Sequence, residues 1–554
     1  MKRVIFLALF VLPACKNENE LSEVPYEEPE LSLADPAAAS WQSAGTVTAT
    51  GVARNLTDVK VNGVGADVDG DSYSASVTLE RGINVLEVTG KDGRGDTKFV
   101  RQAVIAGDYN DPGQKIEDAA SLRLNQGGID AALAQVGSLL TPDSIRSMVM
   151  NGQPLYQDSY GIWGWDAVTV NAIATQLEFD TPDLTANPND GVLELDATIP
   201  NVQVGVNVYG EIIGIDYDVD IWVWADPEIE AELGVGADDG MLTVSIVDTT
   251  IDLVGFGYDT SLLPGDIEQY ILVDTIASFL ETKLMDAVET MVPPLLEEQL
   301  ASLDLSFETE VLDRQVSIAA DISDAYIDDD GIVAVVDLDV DMPSAGSMEY
   351  AGYLAATPGA ADTDRNADVG VSLSDNLLNR VLFEAWRAGV LEMTMSTADG
   401  SLPEMMLTQL HATEGSVAIS AKLPPVAIQK DGGLLAQLGE VEVVIDTPGG
   451  EMGDHLKVAL AASVPLNITV ENGELKLSLG ELDMDMVVRE SDWGASNETI
   501  TRLLEEMLPI NALLALFGNF SFPLPAIGPL TIDSADVARE STGAFTGVGI
   551  ELGY

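Results

Sequence analysis

Side chains equipped for chemistry are sparse in this chain. His411 and His455 are its only imidazoles. His411 follows the run MMLTQL, and His455 follows Gly453-Asp454 in a polar loop. Neither has a cysteine or a second histidine at ligand spacing, so a zinc centre is not expected. No Gly-x-Ser-x-Gly elbow, phosphate-cradling glycine loop or dinucleotide fingerprint occurs. Paired carboxylates are too common among 92 acidic residues to mark a position. Asp67, Asp69 and Asp71 stand at alternate positions, as at the start of an EF-hand loop. Tyr73 interrupts the later ligand positions and no bidentate glutamate follows. These residues read either as a calcium site or as an Asp-rich hairpin turn. Calcium is the one metal left open, and the inventory points away from an enzyme.

What stands out instead is apolar spacing. The stretch Val371–Met395 opens as a short strand, Val371-Ser372-Leu373, and Ser374 or Asp375 can cap a following helix. Leu377, Leu378, Val381, Leu382, Ala385 and Trp386 recur at three- and four-residue spacing and paint one apolar stripe. Asn376, Asn379, Arg380, Glu384 and Arg387 take the other face. Gly389 closes the helix as a C′ glycine, and Val390 to Met395 alternates as a strand. Ser121–Leu140 is built similarly, a brief strand and then a helix with Ile129, Leu133, Val136 and Leu140 on one face. Two longer stripes are predicted as amphipathic helices. One is Ile267 to Leu300, carrying Ile271 and Leu280, with Pro293-Pro294 kinking or breaking it. The other is Asn497 to Phe517, carrying Leu503, Met507 and Leu514. Each stripe reads either as ordinary core or as the lining of an apolar slot.

Charge sets the boundary conditions. The 554 residues carry 25 basic and 92 acidic side chains, a net charge of −67. Such a surface repels phosphate, so nucleic acid is not an expected partner and anionic headgroups are disfavoured. With 46% apolar residues, sizeable cores can form.

The first residues have the character of a targeting segment. Lys2 and Arg3 precede an apolar run, Val4 to Val11, and then Leu12-Pro13-Ala14-Cys15. This resembles the bacterial lipoprotein signal, which implies cleavage before Cys15, the sole cysteine, and its lipidation. Lys16 is similar to the pattern that sorts to the outer membrane. The implied location is the outer membrane, at its periplasmic or cell-surface face, with the chain anchored and not embedded. Residues 16–40, rich in Glu, Pro, Ala and Ser, read as a disordered acidic tether. Residues 41–107 read as an all-β module with Gly-bearing turns at Asn62-Gly63, Asp69-Gly70, Arg81-Gly82 and Asp92-Gly93. The module resembles bacterial immunoglobulin-like domains, which implies a protein or glycan partner.

From Asp111 onward two halves repeat one order, 111–302 and 303–554. Each has a strand–helix element, a meander of long alternating strands and a long apolar-faced helix. Four features together resemble the tubular lipid-binding superfamily and its bactericidal/permeability-increasing protein branch. They are SLRLNQGGIDAALAQVGSLL (Ser121–Leu140), SLSDNLLNRVLFEAWRAGVLEMTM (Ser372–Met395), FSFPLPAIGPLTIDSADV (Phe520–Val537) and the two-fold repeat. The resemblance implies an α+β fold, two tandem antiparallel-sheet barrels each wrapped around long amphipathic helices in a boomerang joined by a central sheet. It implies a phospholipid or fatty-acyl lipid in each half. The implied lining is Ile129, Leu133, Val136, Ile271 and Leu280 in the first half. In the second it is Leu377, Val381, Ala385, Leu503, Met507 and Leu514. Two features depart from the family: no disulfide is possible, and the hairpin tips NPNDG, ADDG and DDDG are acidic where endotoxin binders are cationic.

The expected function is binding or transfer of lipids by a membrane-anchored protein. Two other readings stand beside it: an adhesion or scaffold protein with closed barrels, and a lipopolysaccharide binder bridged by divalent metal.

Overall fold

The computed structural model describes residues 28–150, 154–162, 165–259, 273–301, 305–311, 314–343, 349–357, 361, 363–364, 366–507, 521–525, 531–539 and 544–553. The chain divides into two compact units. One holds Thr46–Thr78, Leu86–Gln102 and the described residues before Ala38. The other holds Ala103–Tyr554 with Ala38–Gly45 and Leu79–Val85.

The N-terminal strands form a four-stranded and a five-stranded sheet. Strand Glu30–Asp35 lies within the segment read from sequence as tether. It is ordered because Leu33 is buried and the strand pairs antiparallel with Gly45–Arg54. Asp67–Asp69 enters a hairpin, and Asp71 is held by Arg54 at 2.8 Å. Among the described residues no group of His, Cys, Asp or Glu could hold a metal ion.

The larger unit is mostly β, and this corrects the α+β expectation. About 60% of the described residues are strand and 16% helix. The reason is the length of the alternating Val/Ile/Asp runs, which propagate as single strands. Ile215–Asp238 is 24 residues long, Met241–Asp259 is 19 and His455–Glu471 is 17. Alternation puts one side of each strand into the core, as in the burial of Ile221, Val223, Ala225, Ile229, Ala231 and Leu233. Six helices are described: α1 (Gln126–Leu139), α2 (Pro142–Val149), α3 (Val273–Ala301), α4 (Asp375–Arg387), α5 (Glu404–Gln409) and α6 (Asn497–Met507). Only α3 exceeds 14 residues, and Pro293 and Pro294 lie inside it without breaking it. Buried Val292, Leu296 and Leu300 clamp it on both sides of the prolines. The predicted helix at Asn497–Phe517 is described only as far as Met507. In none of the three large sheets does the order of the described strands close into a barrel around helices.

A central seven-stranded sheet joins the halves. At its middle, Ile116–Asn125 pairs antiparallel with Val369–Ser374, with Leu122 opposite Val371. These are the two strand–helix elements matched in sequence, and each runs directly into its helix, α1 or α4. One hydrophobic cluster runs continuously through both halves.

Candidate functional site

Helix α4 is the best-defined element carrying predicted site residues. Ser374 caps it, accepting from the Asn376 N–H at 3.2 Å. Gly389 ends it at φ 73°, its N–H donating to the Trp386 carbonyl at 2.9 Å. Eleven of its thirteen residues are buried, so the polar face is not a wet one. The Asn379 side chain accepts from the Ala427 N–H at 2.7 Å and donates to the Ala427 carbonyl at 3.1 Å. It thereby acts as one more rung against strand Val426–Lys430. Trp386 Nε1 donates to the Ala421 carbonyl at 2.7 Å, and Arg380 to the Val340 carbonyl at 3.2 Å. Glu384 sits between Arg380 and Arg387, at 3.1 and 3.0 Å. Burial pushes the Glu384 carboxyl up, and the two guanidinium groups pull it back.

The apolar stripe faces the second-half sheet. Leu377 and Leu378 line a cavity of about 40 Å³ together with Leu434, Ile468, Leu475, Leu477 and Phe522. Leu373 and buried Ser374, Asp375 and Thr546 complete the lining. Asp375 pairs with Arg539, at 2.9 Å on one arm of a two-pronged contact. Burial raises the Asp375 carboxyl above the usual carboxylate range, and Arg539 opposes this.

The first half repeats the arrangement on a smaller scale. Ile129 of α1 and Leu296 and Leu300 of α3 meet Val235, Val244 and Ile332 around a cavity of about 10 Å³. Beside α1, Arg123 makes a two-pronged contact with Asp328, at 2.8 Å on one arm, and donates to Thr363. That contact lowers the Asp328 carboxyl to about 2.

Of the residues singled out from sequence, Ile129 and Leu377 line these cavities. Leu133, Val136, Leu280, Val381 and Ala385 are buried in the common core. Leu503 is half-buried on α6, and Met507 ends that helix. Cys15, Ile271 and Leu514 lie outside the described residues. Spacing did not reveal Leu434, Ile468, Leu475, Leu477 and Phe522, because they come from strands far along the chain. Their alternation was the available signal.

The larger hollows are polar. A groove of about 390 Å³ on the outer sheet face is lined by Glu194, Asp196, Glu230, Glu232 and Asp248. Register puts Glu194 opposite Glu232, and Glu232 opposite Asp248. His455 Nδ1 lies 2.7 Å from Asp446 across a strand pair, and His411 lies 3.8 Å from exposed Glu451.

Comparison with known proteins gives likenesses to both parts of the chain. Residues 29–108 match the family model described as glucodextranase, domain B. Over 88 residues the chain is 39% identical to bacillopeptidase F of Bacillus subtilis (strain 168). That match covers 16% of this chain and spans 6% of the length of bacillopeptidase F. The crystal structure of a lipopolysaccharide binding protein is similar over 79% of this chain and 100% of its own, with 14% identity and a TM-score of 0.43. The first match begins at residue 29, one residue before strand Glu30–Asp35.

Proposed function

We propose that this protein is a non-enzymatic lipid binder, tethered to the bacterial outer membrane through a lipidated Cys15. The observation that carries the reading is the cavity beside α4. Its lining is mostly apolar, with buried Ser374, Asp375 and Thr546 as its few polar members, the make-up of a small-ligand pocket. The sequence resemblance of Ser121–Leu140, Ser372–Met395 and Phe520–Val537 to the bactericidal/permeability-increasing protein branch supports it as well. At about 40 Å³ the cavity is far too small to hold an acyl chain as it stands. An acyl chain therefore enters by displacing side chains, and the gain is about 0.8 kcal/mol per buried CH₂. For the N-terminal module we propose a protein or glycan partner.

The test is native mass spectrometry of the purified chain, followed by organic extraction. The expected result is a mass excess that disappears on extraction and yields phospholipid or fatty acid. A clean apo mass with no extractable lipid refutes the proposal and leaves an adhesion or scaffold role.

A further inference from the structure

The hairpin joining Val202–Ile212 to Ile215–Asp238 turns on two residues, Ile213 and Gly214. Both have positive φ, 47° and 80°. Five other described hairpins make the same two-residue turn with both φ positive. Their first residues are Asn62, Asp190, Asp239, Asp431 and Asn472, each followed by glycine. That is the expected chemistry, since a short polar side chain tolerates the left-handed region and a β-branched one does not. Ile213 breaks this pattern. It is also 75% exposed, and Ile215 is 72% exposed. They are the two most exposed large apolar side chains among the described residues. An isoleucine has been placed where it is both strained and wet, so neither backbone nor core accounts for it.

We propose that this hairpin tip inserts into a zwitterionic phospholipid surface. The size of the patch argues for lipid over a protein. Two or three isoleucines on a single ribbon fall far short of the roughly 800 Å² per partner of a specific protein interface. A lipid layer needs no complementary shape. Half-buried Tyr209 and Tyr217 stand a few residues behind the tip, at the depth where amphipathic rings favour headgroups. Charge selects the lipid: exposed Glu211 and Asp216, paired across the strands just behind the tip, repel anionic headgroups and suit choline or ethanolamine ammonium groups. The tip is a separate surface from the α4 cavity, and its action does not require that cavity to hold lipid.

The experiment uses the full chain carrying Cys15→Ser, which removes the proposed lipid acceptor and the only thiol. Sedimentation with phosphatidylcholine vesicles is expected to carry the protein down. Vesicles of phosphatidylglycerol are expected to bind it less. Ile213→Asn restores ordinary turn chemistry, so its thermal midpoint is expected to hold or rise while phosphatidylcholine binding falls at least about tenfold. Ile215→Cys in the same background gives one labelling site for an environment-sensitive dye, whose emission should shift to the blue on phosphatidylcholine vesicles. Equal binding by the Ile213→Asn chain, no binding by the parent, a preference for phosphatidylglycerol or an unshifted dye each overturns the proposal. Co-purifying lipid should be the same in parent and Ile213→Asn, which keeps this test distinct from that of the α4 cavity.

Discussion

Asn379→Ala is expected to loosen α4 by about 2–5 kcal/mol. Asn379 is 1% exposed and bonds both main-chain groups of Ala427, itself buried. Truncation leaves one N–H and one C=O without a partner, and each such buried group costs about 1–3 kcal/mol. Water entering the vacated space recovers part of the sum. The measurement is urea unfolding followed by far-UV circular dichroism, read as a lower midpoint at unchanged slope. Lys476→Ala is the reference: its ammonium reaches exposed Glu471 at 3.3 Å, and its loss should cost no more than about 0.5 kcal/mol. A loss below about 1 kcal/mol for Asn379→Ala would refute the idea that α4 is fixed through its polar face.

Two further outcomes follow from burial and charge. Val381 is 2% exposed and lines neither apolar cavity, so Val381→Trp should overpack and cost about 1–3 kcal/mol in the same assay; a neutral effect would mean that hidden space lies beside α4. Asp328 is held near 2 by Arg123, below its unfolded value of 3.8. The folded state therefore binds fewer protons, and this contribution is complete above pH 4 and lost as pH falls toward 2. Its size is about 1–2 kcal/mol once its partial exposure is allowed for. Asp328→Asn should flatten that part of the acid titration of stability, and an unchanged acid limb would refute the assignment.

The elements legible in sequence were those with local signals. The stripe of α4, its two candidate caps and its Gly389 stop lie within one short stretch, and the structure keeps the helix and the stop and takes Ser374 as the cap. The kinship of Ser121–Leu140 with Val371–Met395 was visible too, and the structure lays their strands side by side. What failed was any inference that needed distant partners. Asn379, Arg380 and Glu384 read as an outer face, because their partners, Ala427, Val340 and Arg387, are partly remote and the strand that covers them is not implied by helical spacing. The balance of helix and sheet was misjudged for a related reason. Strands such as Ile215–Asp238 are longer than local alternation suggests. Ile213-Gly214 carried a readable signal, a turn dipeptide with the wrong first residue, and it gains meaning only beside the five regular turns.

If an acyl chain does enter beside α4, the anchoring of that helix decides which wall gives way. Asn379 and Trp386 tie α4 to Ala427 and Ala421, and Arg380 ties it to Val340. The opposite wall is weaker. Leu475, Leu477 and Phe522 sit on Glu474–Leu479 and Ser521–Pro523, the latter a three-residue strand at the sheet edge that pairs over only three positions. Edge strands with so few ladder bonds open at low cost. Hydrogen exchange should therefore be faster at Ser521 and Phe522 than within α4, and added lipid should slow it mainly at the former. Protection confined to α4 would show that the helix itself moves, which its buried hydrogen bonds forbid on the present argument.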